Sequence, residues 1–498
     1  MNSFIKVLVI VLVLIPVGAL AQDTTATGYL VDSKTNEPLP FANIGVDGRF
    51  KGTVTNMEGH YILNLSGIDQ ESYVSFSYIG YESRKMSVAE LLNTSEVRLK
   101  QTALKLDAVE VSSRPLKVKE IVELIEENYD KNYPKQTAKR RVFFHKFEKV
   151  PFPDKEMISV KKSNFEEINA ELMSELMALV PDTLIEYQDV MLDLYSHDGE
   201  RKIVPISAIS IEEGSQKDLE KKFEQNLGKF FGDVGRGGED EDIYYKWRSG
   251  IFSQEIESSS SADSNKSKET TLKPHEKSAS NVKSEMLSIM KGYASLHGGN
   301  WEFISSPGKY RYKKKGVTVI GEELVYEISF RPKSRGLYEG VMYVSTSSYA
   351  IIQLDYAFKK GKDDENIHLL GFGHSMNNKT GRIIFEKGSN GYYAKYINAH
   401  KHESASIERN FSIIKKKRRW FIDKTLKEIK FDVNAFFDTY GYWEILVVEK
   451  NDIQSSDFEQ VVQPKTVQFK KEYAFSSEAW NNSTVIAPST ELKKYKRK

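Results

Sequence analysis

The sequence predicts a mainly β chain with α+β character: a small N-terminal β-sandwich, then a larger antiparallel-sheet α+β region. Three observations predict this. Turn signals recur at about 8–12-residue spacing across residues 22–112, which is the rhythm of a sandwich or barrel. Aromatic residues make up 11% of the chain, with 26 Tyr and 26 Phe, and flat rings pack well on a pleated, half-buried surface. From Trp301 onward, apolar and polar residues alternate with the period of two that strands require.

The chain opens with Lys6, the apolar run Val7 to Val17, and the small-residue exit Ala19-Leu20-Ala21. A positive start, a short apolar core and a small-x-small exit describe a secretory signal peptide over residues 1–21, cut between Ala21 and Gln22. The run is shorter than the roughly 20 apolar residues a spanning helix needs. An exported, periplasmic or outer-membrane-associated protein is therefore expected, with no transmembrane helix after cleavage. The chain has no cysteine, which excludes disulfides, thiolate metal sites and a lipid-modified N-terminal cysteine. The net charge of +1 argues against a nucleic-acid partner.

Within residues 22–112, Thr27 to Asp32 starts a strand and Asp32 to Pro38 is a polar turn. Phe41 to Val46, Tyr61 to Leu65 and Tyr73 to Tyr78 each alternate as half-buried strands. The strings GYLVDSKTNEPLPFANIGV, GTVTNMEGHYILNL and VSFSYIGYES resemble the carboxypeptidase-regulatory-like domain. That is a transthyretin-like β-sandwich common at the N-termini of exported Bacteroidetes proteins, and the likeness covers about the first fifth of the chain. It implies an accessory domain, not a catalytic one. Thr55, Gly59 and Tyr61 fit the family's T-x-x-x-G-x-Y/F turn, and Gly80-Tyr81 fits its x-G-Y/F strand end. These residues are expected to build turns and core.

Residues 113–135 are expected to be a helical connector. Val118, Ile121, Val122, Leu124, Ile125 and Tyr129 share a helical spacing, and Pro134 stops the helix. An α+β segment follows over 136–252, with a strand at Arg141–Phe147, a short helix at Ile168–Leu179, a strand at Tyr187–Tyr195 and a helical run at Lys217–Phe231. Residues 253–290 are expected to be a flexible Ser-rich insertion, because ten serines in 253–284 leave little apolar area to offset ordering entropy. Residues 291–475 are expected to be an antiparallel β domain. Its YEISFRPK…YEGVMYVSTSSYAIIQLDYAF resembles the strand pattern of curved half-barrels of the lipoprotein-carrier type. Residues 476–498 are expected to be a basic tail.

No motif identifies a reaction. His145-Lys146-Phe147-Glu148 has the His-x-x-Glu spacing of a metallocarboxypeptidase, but on a strand residues three apart face opposite ways. His400 and His402 share a strand face and are the best remaining metal candidates. No third ligand can be named, His368 and His374 being partners only by proximity in sequence, and exposed strand histidines are the preferred explanation. Gly373-His374-Ser375-Met376-Asn377 falls short of the nucleophile elbow Gly-x-Ser-x-Gly, and a hairpin turn at Asn377-Asn378 is expected instead. Lys415-Lys416-Lys417-Arg418-Arg419 is a basic cluster beside Trp420 and Phe421. It is a solvated loop in the ordinary explanation, or a site of attraction to anionic lipid or lipopolysaccharide.

The expected function is that of a non-enzymatic cell-envelope scaffold or binding module, without cofactor, docking on an outer-membrane or envelope protein or a surface polymer. One alternative is a carrier or sensor of lipid or other hydrophobic ligands, which requires a large apolar concavity. The other is a metal-dependent or serine hydrolase.

Overall fold

The computed structural model describes residues 25–102, 116–212 (except 167), 242–256 (except 251), 276–298 and 301–494 (except 473, 477–479, 481 and 482), with 228, 230 and 234. The cleavage site Ala21–Gln22 and most of the helical run expected at Lys217–Phe231 lie outside these residues. Among them, no helix is long and apolar enough to cross a membrane.

Seven strands form the sandwich: β1 (Thr25–Asp32), β2 (Asn43–Val46), β3 (Gly52–Val54), β4 (His60–Asn64), β5 (Tyr73–Ser77), β6 (Arg84–Ser87) and β7 (Glu96–Leu99). One sheet has the order β4-β1-β7 and the other β3-β2-β5-β6. The alternating residues Ile44, Tyr61, Leu63, Val74, Phe76, Val97 and Leu99 meet between them as one buried cluster. Asp32 anchors a turn beside it. Tyr81 Oη donates to the Asp32 carboxylate at 2.7 Å, and the amides of Lys34 and Thr35 donate to the same group. Together with Gln101, these donors hold the Asp32 carboxyl well below the usual carboxylate range, Tyr81 contributing most.

The rest of the strands are β8 (Ala138–Pro151), β9 (Ile158–Ser163), β10 (Thr183–His197), β11 (Glu200–Glu212), β12 (Ile243–Ser249), β13 (Phe252–Ile256), β14 (Glu276–Ser278), β15 (Tyr310–Ile320), β16 (Glu323–Pro332), β17 (Tyr338–Ser345), β18 (Ile351–Phe358), β19 (Asp364–Leu369), β20 (Phe372–Lys387), β21 (Tyr392–Lys417), β22 (Lys424–Asp452), β23 (Thr466–Gln468) and β24 (Lys470–Glu472). All but β14 and β23 join one sheet, whose main path is β15-β16-β17-β18-β20-β21-β22-β8-β10-β11-β24. Among the described residues the path runs from β15 to β24 without closing on itself, so the sheet is open. The strands expected in 136–252 and those expected in 291–475 thus share a single sheet. They join where β22 pairs with β8, with Val447 opposite Val142, and also where β12 pairs with β21, β9 with β22 and β11 with β24.

Alternation gives this sheet two buried faces. Val142, Phe144, Ile397, Ala399, Trp443, Ile445 and Val447 face a layer of helices. That layer comprises Val118–Glu127, Ala279–Ala294 and the short Glu302–Ser305. Trp301 and Phe303 are fully buried there, and Phe303 stacks on Phe330 with ring centroids 4.2 Å apart. The opposite face, with Phe143, Met191, Ile384, Tyr396, Leu446 and Val448, packs against the sandwich residues Phe41 and Val54 and against Val485 and Ile486.

Three expectations are corrected. The flexible insertion expected over 253–290 contains ordered structure at both ends, in β13, β14 and the helix Ala279–Ala294. Ala279, Val282, Met286 and Tyr293 lie at helical spacing and are buried. The serines and lysines around them mask that stripe in a compositional reading. The hairpin turn expected at Asn377-Asn378 is a bulge inside β20. The reversal lies at Leu370-Gly371, both at positive φ, where a Cβ on Gly371 would sit 2.3 Å from the Glu408 carbonyl oxygen. The basic tail expected at 476–498 is not wholly solvated. Val485, Ile486 and Ala487 are buried, because an apolar run outweighs the flanking charge.

Candidate functional site

The sandwich is tied to the large sheet at several points. Lys450 N donates to Phe50 O at 2.9 Å beside a bridge between Lys51 and Glu449. The segment 484–490 threads alongside: Asn64 N donates to Thr484 Oγ1 (2.9 Å), Asn56 Nδ2 to Ala487 O (3.1 Å) and Thr490 N to Glu58 Oε1 (2.9 Å). Phe41 is the central contact. It has φ +61°, a left-handed conformation rare for a bulky residue. Its neighbours Ala42, Ile44 and Val46 enter the sandwich core, while its ring stacks on Tyr396 of the sheet at 5.7 Å and lies 4.6 Å below the Arg382 guanidinium.

Beside this contact the layers part around a cavity of about 1170 Å³. The sandwich contributes Thr25, Thr27, Met57, His60 and Ile62, the sheet contributes strands β8, β10, β17, β18 and β20–β22, and the C-terminal segment contributes Phe475, Trp480, Val485, Ile486 and Leu492. The volume exceeds the roughly 300–1,000 Å³ of common small-molecule sites. Most of its wall is apolar: Phe143, Phe147, Tyr187, Val341, Ala357 and Ile486 all line it.

The sheet floor of the cavity carries a set of satisfied polar groups. His145 and Asp189 face each other across the β8–β10 register, and His145 Nδ1 lies 2.6 Å from Asp189 Oδ1. Trp480 Nε1 donates to the other Asp189 oxygen at 3.1 Å. Burial alone would push the His145 imidazole down, but Asp189, with Glu444 behind it, outweighs burial and raises it. Asn398 Nδ2 donates to the hydroxyls of Tyr396 and Tyr442, each at 3.1 Å, and Tyr396 Oη donates to Glu444. Burial pushes both phenols well above their ordinary range, so they stay neutral donors. Arg382 pairs with Asp355 on the neighbouring strand. On the sandwich side, Thr25 Oγ1 and His60 Nδ1 are buried with no hydrogen-bond partner among the described residues.

The residues singled out from sequence fall in different places. Thr55 is fully buried, accepts from Ala42 N at 2.9 Å and donates to Leu39 O at 2.6 Å. Gly59 has φ +73°, and a Cβ there would lie 2.7 Å from Leu30 O. Tyr61 is in the sandwich core and Gly80 takes φ +76° beside Tyr81. His400 lines the cavity with its ring 4.5 Å from that of Tyr442, and burial lowers its basicity. His402 stacks on Tyr440 at 4.3 Å and lies 3.0 Å from Asp438. His374 is 3.6 Å from Glu403. Among the described residues, no group of three or more His, Asp or Glu side chains is arranged to hold a metal ion. Ser375 Oγ donates to Asn377 Oδ1 at 2.8 Å. Sequence reasoning missed Phe41, Arg382, Asn398 and Asp189. Only the alternation of their strands hints at them, and it does not say which strands adjoin.

Residues 26–111 match the family described as CarboxypepD_reg-like domain. The TonB-dependent receptor SusC of Bacteroides thetaiotaomicron is 33% identical over 112 residues, 22% of this chain and 10% of the receptor. The TonB-dependent receptor P3 of Formosa agariphila is 31% identical over 92 residues, 18% of this chain and 9% of the receptor. The chain thus matches about a tenth of the length of these curated relatives. Among solved structures, MucB in complex with MucA(peri) aligns with 68% of this chain and 100% of its own, at 5% identity and a TM-score of 0.18. The Pseudomonas aeruginosa MucA/MucB complex aligns at 7% identity and a TM-score of 0.16, over 68% and 100% of the two chains. Likeness at that level says nothing about this fold.

Proposed function

We propose that the protein is a non-enzymatic binding protein of the bacterial cell envelope that holds an amphipathic, acyl-chain-bearing ligand between its sandwich and its large sheet. The observation that carries this reading is the cavity of about 1170 Å³, lined mostly by apolar side chains with the paired polar groups of His145, Asp189, Asn398 and Arg382 set among them. Its polar floor groups are paired with one another, so they suit orienting a ligand better than reacting with it. The signal-peptide pattern at residues 1–21 and the domain shared with two TonB-dependent receptors support an envelope setting. In this reading the sandwich is the roof of the cavity, and Phe41 and residues 484–490 fasten it.

The test is native mass spectrometry with lipid extraction on the mature chain purified from its own host. A stoichiometric lipid in the native chain, absent from Ala357→Trp, supports the proposal. A ligand-free native chain, or equal lipid in both, contradicts it. A second reading, docking of the sandwich on an outer-membrane protein, is supported by the occurrence of the domain in the two receptors. A stoichiometric protein partner without lipid would favour it.

A further inference from the structure

The longest hairpin of the sheet ends in an unusual tip. β21 has 26 residues and β22 has 29. The neighbouring β20 stops pairing at Phe372 opposite Ile407, yet β21 continues to Lys417. Those further residues carry the tip about 30 Å past the end of β20, at roughly 3.3 Å per residue. At the tip, Trp420, Phe421 and Ile422 are 92%, 90% and 82% exposed. Three adjacent, almost fully exposed large apolar residues are costly in water.

The backbone around them is held in place. Tyr244 Oη donates to Asp423 Oδ2 at 2.6 Å, Arg419 N donates to Asp423 Oδ1 at 3.1 Å, and Arg418 pairs with Glu255 while lying over the Tyr244 ring. The stem just below the tip is buttressed by a separate apolar cluster that includes Phe165, Met173, Tyr245 and Ile429. The ties thus present the apolar triplet outward instead of folding it back.

Behind the triplet, beside the carboxylates of Asp423 and Glu255, lysines predominate. Lys417 lies opposite Lys424, and Lys415 opposite Lys427, across the β21–β22 register. An apolar tip with aromatic residues, backed by a basic collar, matches the two layers of an anionic bilayer leaflet, acyl region then headgroups.

We infer that the β21–β22 tip is a membrane-docking element that inserts Trp420, Phe421 and Ile422 into a leaflet containing anionic phospholipid, with Lys415, Lys417, Lys424 and Lys427 against the headgroups. This surface is separate from the cavity and does not depend on what the cavity holds. The experiment is co-sedimentation of the full mature chain with phosphatidylglycerol–phosphatidylethanolamine vesicles and with phosphatidylcholine vesicles. The native chain is expected to bind the anionic vesicles and to be released at about 1 M salt, where screening leaves only ~3 Å of electrostatic range. The triple variant Trp420→Ser, Phe421→Ser, Ile422→Ser is expected to bind at least tenfold more weakly. Lys417→Glu with Lys424→Glu is expected to abolish the preference for anionic vesicles. Ala357→Trp, which fills the cavity, is expected to bind vesicles like the native chain. Circular dichroism of each variant checks folding. A native chain that stays in the supernatant, a folded triple variant that binds unchanged, or a self-association lost with the triplet in the absence of vesicle binding would overturn the inference.

Discussion

His145 Nδ1 lies 2.6 Å from Asp189 Oδ1, directly across the β8–β10 register and on the floor of the cavity. The pair joins two neighbouring strands at a point where Trp480 of the C-terminal segment also donates to Asp189. One carboxylate therefore links the sheet floor to the segment that closes the cavity.

The raised basicity of His145 has a definite sign in stability. Its folded-state value lies above the unfolded value near 6.5, so its contribution is full below about pH 6.5 and fades as pH rises through the raised value. The thermal midpoint of the native chain is expected to fall as pH is taken upward from about 6. Asp189→Asn should flatten that slope and cost about 1–3 kcal/mol at pH 6, the range for leaving a buried partner unpaired. Thermal melts across pH on the two proteins check both effects.

Phe41→Ala should loosen the sandwich from the sheet. It removes the stack on Tyr396 and the contact under Arg382 without relieving the positive φ. A loss of about 3 kcal/mol is expected, in line with deletion of a buried phenyl ring. Hydrogen exchange should rise at Tyr396 and along 484–487, while the sandwich core around Ile44 and Phe76 stays protected.

Gly59→Ala should destabilise the sandwich itself. At φ +73°, with Leu30 O at 2.7 Å from the added Cβ, the turn between β3 and β4 must shift. The expected cost is about 1–3 kcal/mol, read by denaturant unfolding of the full chain.

The sandwich was legible in the sequence because its information is local. Turn residues such as Gly59, and the inward alternation of Ile44, Leu63 and Phe76, lie within a few residues of one another and specify their own strands. The large sheet was legible only strand by strand. Nothing near Val142 or Val447 announces that they pair, since that contact spans most of the chain. The helix Ala279–Ala294 was hidden because a serine-rich composition outweighed a sparse stripe of Ala279, Val282, Met286 and Tyr293. The cavity was the least legible part. Phe41 looked like one more residue of an alternating strand, and its outward turn depends on the left-handed backbone that precedes β2. His400 and His402 share a strand, as their spacing implies, but they part company in their surroundings. His400 faces Tyr442 in the cavity and His402 pairs with Asp438 outside it.

The most direct test of the central claim is displacement of a fluorescent fatty acid from the mature chain, compared between the native protein and Ala357→Trp. Ala357 lines the cavity on β18, and an indole there occupies the space an acyl chain would take. Saturable binding by the native chain, weakened at least tenfold in a variant with an unchanged thermal midpoint, is the predicted result. Equal binding by the two proteins, or no binding by the native chain after lipid extraction, would contradict a ligand site between the sandwich and the sheet.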